Sequence, residues 1–250
     1  MVYSSVEQSK KTIQKMAAIA AAAATQEDVI RLTYFHGWGL AEQARWVLAA
    51  TGVEWEQVGL DTRQQFLDLR DKPNSPLLFG QMPLLEIDGL ELVQSQAMLR
   101  YVARRGGFCP EDPKDQALCD MVAEAVKDAR GPLTAFPFKP DLAAHIATLP
   151  SHFAKYFPRF ERILEAGGGT VIKSGKLCYA DVLLAEICHG FARLSPGCLD
   201  PYPLLKALMA SVTAMPSVVA YLNDPKRRYP HPEGEVGVAY VKNVNTVLGR

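Results

Sequence analysis

Alternating and helical periodicities divide the chain beyond residue 28 into two unlike halves. Ile30 to Phe35 alternates and is rich in β-formers, which predicts a strand, and Gly37-Trp38-Gly39 breaks it. Leu40, Ala44, Val47, Leu48 and Thr51 recur at helical spacing, with Gly52 as a C-terminal stop. Glu54 to Leu60 alternates again, so strand, helix and strand form a βαβ unit whose strands should run parallel. A helix near Arg63 to Arg70 and a loop from Lys72 to Pro76 follow. Pro83 then opens a strand that Asp88-Gly89 turns into a second one, because this dipeptide supplies the positive φ values of a two-residue hairpin. Ala97 to Ala103 returns to helical spacing, with Ser95 placed as its N-cap.

After Arg105 the strand signals stop. Gly106 to Pro113 is a linker by its Gly and Pro content. Helices are expected over Gln116 to Lys127, Ser151 to Ala166, Tyr179 to Arg193, Tyr202 to Thr213 and Ser217 to Leu222, with Pro132, Pro137 and Pro140 kinking or ending the first. The Tyr179 helix is apolar on most faces and should be central. A tail from Lys226 carries Val236 to Val241, apolar enough to pack back on the body. The predicted fold is an α/β domain over 29–106, thioredoxin-like in outline, a helical-bundle domain over 113–225 and a tail over 226–250.

Composition adds mainly exclusions. Hydrophobic content of 48% and charged content of 22% are those of an ordinary soluble globular protein. Lys+Arg and Asp+Glu balance at 27 each, so there is no electrostatic case for nucleic acid or an anionic membrane. The cysteines are five, an odd number with no C-x-x-C pair, which argues against a disulfide framework, a zinc ribbon and a dithiol motif. No apolar run reaches the roughly 18 residues of a membrane span, and a cytoplasmic location is the default expectation. Residues 1–28 stand apart, with Lys10, Lys11 and Lys15 before an alanine run. They read as a helical or frayed extension, or alternatively as a targeting peptide.

The candidate chemistry begins at the hairpin. Ser95 sits among free N–H groups at a helix N-terminus, and Pro83 leaves the Met82 backbone free to pair with something other than a strand. Together they suggest a site for an extended, anionic, peptide-like ligand. Leu32-Thr33-Tyr34-Phe35 with its following helix, and Gly80-Gln81-Met82-Pro83 through Gln94-Ser95, resemble the cytosolic glutathione transferases of the tyrosine type, the alpha and sigma classes most closely. The resemblance runs from about Ile30 to Leu222. It implies that Tyr34 bonds the glutathione sulfur and that Gln94 and Ser95 hold the γ-glutamyl end. It implies too that the Met82 backbone, before a cis Pro83, pairs with the cysteinyl unit, with Gln81 assisting. Lys72 falls where relatives place a cation for the glycyl carboxylate, and Asp128 where an acid reaches across a homodimer interface. Taken singly, these residues also read as a strand aromatic, a solvated loop lysine and an exposed helical acid. Phe35, Trp38, Phe136 and Phe138 are candidates for an apolar electrophile wall, or for ordinary core.

The sequence departs from this pattern at two places. Leu40 stands where the alpha class carries an arginine that assists the thiolate, and Trp38 where another arginine is common. Cys178 stands where the Tyr179 helix normally has a Ser or Thr cap, with Asp181 three residues on. The implied activity is conjugation of glutathione, as co-substrate and without a metal, to apolar electrophiles, in keeping with a detoxification role. The alternatives are a glutathione-dependent isomerase resembling prostaglandin synthases and a non-catalytic ligand-binding or structural member.

Overall fold

The computed structural model describes residues 29–250, and the extension over 1–28, with its targeting alternative, lies outside the described residues. Strand β1 (Arg31–Tyr34) pairs parallel with β2 (Glu56–Gly59) and antiparallel with β3 (Leu84–Ile87), which pairs antiparallel with β4 (Leu90–Leu92). The sheet order is β2-β1-β3-β4. Asp88 (φ 51°) and Gly89 (φ 74°) make the primed turn that their identities call for. Helix α2 (Arg63–Arg70) starts on a capping box between Thr62 and Gln65.

Helix α1 (Glu42–Ala50) is buried along its whole length, between the sheet domain and the helical one. It packs on α3 (Ser95–Arg105), α8 (Tyr179–Leu194) and α10 (Pro216–Leu222). Charges buried there must be paired. Glu42 accepts from Arg45 (3.0 Å), from the Trp46 indole (3.1 Å) and from the Tyr221 hydroxyl on α10 (2.9 Å). A polar joint inside an apolar seam thus fixes how the domains meet.

The helical domain comprises α4 (Pro113–Ala129), α5 (Gly131–Ala135), α6 (Leu142–Ala147), α7 (Leu149–Gly167), α8, α9 (Pro203–Thr213), α10 and α11 (Gly234–Leu248). Asp112 caps α4 by accepting from the Lys114 and Asp115 N–H groups at 2.8 and 3.2 Å. As expected, α8 is central, packed on α1, α4 and α9. Some expectations need correction. Pro132 neither kinks nor ends α4; it lies in the first turn of α5, where its missing N–H costs nothing. Helix α6 was not anticipated. The tail is a full helix, α11, and it lies against α2 and the Phe136–Phe138 turn.

Cys178 does occupy the N-cap of α8. The carboxylate of Asp181 compensates for the weak cap, accepting from the N–H groups of Cys178 and Val171, both at 2.8 Å. Asp181 is therefore structural.

Candidate functional site

Tyr34 ends β1 and is 5% exposed. Its phenol oxygen accepts a hydrogen bond from the Leu40 N–H at 3.1 Å, and the Tyr240 hydroxyl on α11 lies close beside it. With the Leu40 donor on that oxygen, the Tyr34 proton is left free to be donated elsewhere. Burial raises the pKa of Tyr34 above its ordinary value, opposed by the Leu40 N–H, Tyr240, and the guanidiniums of Arg45 and Arg130. The phenol therefore stays protonated at neutral pH and is a donor, not a base. Tyr240 is likewise raised, by burial first and then by Tyr34.

The turn between β1 and α1 makes this geometry. Gly39 has φ +41°, and a Cβ built there would lie 2.3 Å from the Tyr34 hydroxyl and 2.6 Å from that of Tyr240. Only glycine lets the chain pass under both phenols. Buried guanidiniums hold three successive carbonyls of the turn. Arg45 donates to the Gly37 and Trp38 oxygens (3.0 and 3.4 Å), and Arg130 to the Gly39 oxygen (2.9 Å). Arg130 is paired in turn with Glu186 on α8 at 2.9 and 3.0 Å.

Helix α11 closes the site from above. The His36 N–H donates to Asn243 at 2.9 Å, and the Asn243 amide donates to the Leu60 oxygen at 2.8 Å. The Tyr240 ring sits where a Cβ on Gly37 would be, 2.3 Å from it. Between this helix, the His36–Gly37 turn and Tyr229–Pro232 lies a pocket of about 340 Å³ with mostly apolar walls. Larger clefts of about 880 and 590 Å³ are lined by neither Tyr34 nor any residue of α11, and both carry charged side chains.

The remaining residues singled out in the sequence fall as follows. Met82–Pro83 is a cis peptide. Gln81 is exposed and Met82 half-buried, ahead of β3. The N-cap of α3 is Gln94, with φ 68° and ψ 101°, and Ser95 is the first helical residue, so the expected cap moves by one position. The Gln94 oxygen accepts from the Ala97 and Met98 N–H groups at 2.9 and 3.2 Å, leaving those of Ser95 and Gln96 without an intrahelical acceptor. Lys72 is exposed in the loop after α2, beside an Arg70–Asp71 pair at 2.6 Å. Asp128 is exposed near the end of α4.

The four proposed wall aromatics divide. Phe35 stacks at a tilt on Tyr34, their centroids 4.8 Å apart. Trp38 and Phe136 meet at His231, at 4.7 and 5.7 Å. Phe138, the exposed one of the four, lies 5.6 Å from the Tyr240 ring. Sequence reasoning missed Tyr240, Gly39 and Arg130. Only Gly39 carried a local signal, as part of the Gly37-Trp38-Gly39 break.

Residues 30–104 match the glutathione S-transferase N-terminal domain family and 127–225 the C-terminal domain family. The chain is 38% identical over 202 residues to glutathione S-transferase alpha-5 of Rattus norvegicus, covering 80% of this chain and 90% of that protein. It is similar to the solved structure of NaGST-2 with a TM-score of 0.70 and 30% identity, covering 81% of this chain and 99% of that one. It also resembles the structure of prostaglandin synthase D of Nilaparvata lugens, with a TM-score of 0.65 and 26% identity over 81% of this chain and all of that one. With a thioredoxin-like domain, an all-helical domain and relatives matched over most of its length, the chain belongs to the glutathione S-transferase family and is a glutathione transferase.

Proposed function

We propose that Tyr34 activates glutathione by donating its phenol hydrogen to the sulfur, and that the thiolate is conjugated to apolar electrophiles. The observation that carries this reading is the Leu40 N–H donated to the Tyr34 oxygen at 3.1 Å, which leaves the hydroxyl hydrogen free. A free thiol has a pKa of about 8.5, and lowering it by roughly two units takes about 2.7 kcal/mol. A hydrogen bond to a charged acceptor supplies about 1.5–3 kcal/mol, so one strengthened phenol donor is of the required size.

Glutathione is read as lying along the edge formed by Gln81, Met82 and Pro83. Its γ-glutamyl carboxylate meets the Ser95 and Gln96 N–H groups at the positive end of α3, beside Gln94. The glycyl carboxylate lies towards Lys72. The apolar pocket under α11 accepts the electrophile, with Tyr240, Phe138 and Trp38 among its surroundings. We take 29–106 as the glutathione-binding unit and 113–225 as the helical unit. The exposed Leu78 (75%), Phe79 (60%) and Met121 (60%) support a homodimer, in which Asp128 faces the partner's ligand. A cytoplasmic detoxification role goes with this reading.

The test is conjugation of glutathione to a chlorodinitrobenzene by wild type and Tyr34→Phe. Loss of about ten- to a hundredfold at neutral pH is expected, and wild-type activity in the variant would remove Tyr34 from the mechanism. The second reading, a glutathione-dependent isomerase, is favoured by the likeness to prostaglandin synthase D. Consumption of glutathione separates the two, because an isomerase returns it. A protein that binds glutathione without turnover would be the non-catalytic member. Light scattering of the purified chain tests the dimer, and a monomer would remove Asp128 from the site.

A further inference from the structure

A buried arginine of the helical domain reaches Tyr34 through one peptide unit. The Gly39 carbonyl and the Leu40 N–H are the two ends of the same planar group and point in opposite directions. Arg130 Nη1 donates to the carbonyl end at 2.9 Å, and the N–H end donates to the Tyr34 oxygen at 3.1 Å. Arg130 is held rigidly for this contact. Its Nε and Nη2 pair with the Glu186 carboxylate at 3.0 and 2.9 Å, and Nη1 also donates to Thr134 Oγ1 at 3.0 Å. The guanidinium is 4% exposed, so water screens little of its charge.

We propose that Arg130 is a positioning residue for Tyr34. It fixes and polarises the Gly39–Leu40 peptide, so the helical domain sets how strongly the phenol stabilises the glutathione thiolate. This rests on reading Tyr34 as the thiolate's donor. A cation on a carbonyl draws charge away from the N–H and makes it a stronger donor. That strengthened donor draws charge from the phenol oxygen, and each link reinforces the next. Leu40 contributes its backbone alone, because its side chain is 44% exposed and apolar. Charge on the relay comes from elsewhere.

The other charged or titratable groups around it are accounted for. Tyr34 faces Arg45 from α1 and Tyr240 from α11, and Arg130 faces Glu186 from α8 and Glu42 from α1. Arg45 is matched by Glu42 at 3.0 Å, and its carbonyl contacts are to Gly37 and Trp38, not to the peptide that touches Tyr34. Of the two guanidiniums, Arg130 alone is bonded to that peptide.

The test uses the full chain, titrating bound glutathione by the ultraviolet absorbance of its thiolate. Wild type is compared with Arg130→Met, Arg130→Lys, Glu186→Gln and Tyr34→Phe, each checked by near-ultraviolet circular dichroism. Arg130→Met should move the thiolate midpoint up by about half to one pH unit. The value of kcat/KM then falls about two- to sixfold near pH 6.5 and little near pH 8.5, with KM for glutathione unchanged. Arg130→Lys, which keeps the charge, should recover most of the shift. Glu186→Gln should move the midpoint the opposite way, downward, because it exposes the site to an uncompensated cation. A merely structural arginine predicts equal loss at every pH with an unmoved midpoint, and that result overturns the proposal. Where Arg130→Met does not fold, the direction of the Glu186→Gln shift decides, and an unmoved or raised midpoint overturns it. Tyr34→Phe keeps the two readings apart. If its midpoint matches wild type, the Tyr34 reading fails; if it moves and Arg130→Met does not, only the Arg130 relay fails.

Discussion

Gly39→Ala separates backbone strain from damage to the hydroxyl pair. Gly39 has φ +41°, and its added Cβ would lie 2.3 Å from Tyr34 Oη and 2.6 Å from Tyr240 Oη. An ordinary van der Waals separation is about 3.5 Å, so each hydroxyl must retreat by about 1 Å. A retreat of that size takes the Tyr34 oxygen out of range of the Leu40 N–H, now 3.1 Å away. Two effects follow, and they differ in size and kind. A non-glycine residue at positive φ costs about 1 kcal/mol of stability. Loss of the oriented donor removes about 1.5–3 kcal/mol of thiolate stabilisation, or roughly ten- to 150-fold in kcat/KM. Gly52→Ala is the control, since Gly52 has φ +69° and a Cβ there would meet nothing within 4 Å. It should lower the melting temperature by a few degrees and leave conjugation unchanged. The assay is glutathione conjugation across pH 6 to 9, with melting curves for both variants. Wild-type kcat/KM in Gly39→Ala, or equal activity losses in the two alanine variants, would refute the steric argument.

Tyr240→Phe keeps the ring against Phe138 and removes the hydroxyl that lies beside that of Tyr34. If that hydroxyl supports the phenol as a neutral hydrogen-bond donor, worth about 0.5–1.5 kcal/mol, kcat/KM at neutral pH should fall about two- to tenfold. A rise instead would show that the Tyr240 hydroxyl occupies the place the sulfur needs. Asp181→Ala strands the N–H groups of Cys178 and Val171, which should cost about 2–4 kcal/mol in denaturant unfolding with activity per folded molecule retained. His231 gives a pH signature. Burial first, then Arg193, His189 and Arg228, lower its pKa from 6.5 to about 4. The Glu233 carboxylate reaches Nδ1 at 2.8 Å, but it is half-exposed and does not offset them. The folded state resists protonation, so stability is full above about pH 6.5 and falls as pH drops towards about 4. His231→Asn should flatten that part of a melting-temperature profile, and an unchanged slope would show that another group titrates there.

Most of the first domain was legible because its signals are local. The alternation of β1, the Asp88-Gly89 turn and the break at Gly37-Trp38-Gly39 each depend on neighbours a few residues away. The shift of the α3 cap from Ser95 to Gln94 shows the limit of that reading. Serine is the better capping side chain, but the hairpin delivers the chain with Gln94 at positive φ, and the helix starts one residue earlier, at Ser95. In the helical half, Pro132 misled because proline stops a helix interior yet suits a first turn, and only the break at Arg130 tells which applies.

By itself the sequence determined the division into an α/β half and an all-helical half, the order of strands and helices within the first, and Tyr34 at the end of the first strand. Periodicity, turn chemistry and the family motifs are written within short windows. Tertiary structure decided what surrounds that tyrosine. Arg130 meets Gly39 across 91 positions, and Asn243 meets His36 across 207. A buried arginine and a solvated one look alike in a sequence, as do a tail that covers a site and one that trails from it. The difference lies in which partner satisfies the charge or the hydroxyl once water is gone, and folding alone brings that partner into place.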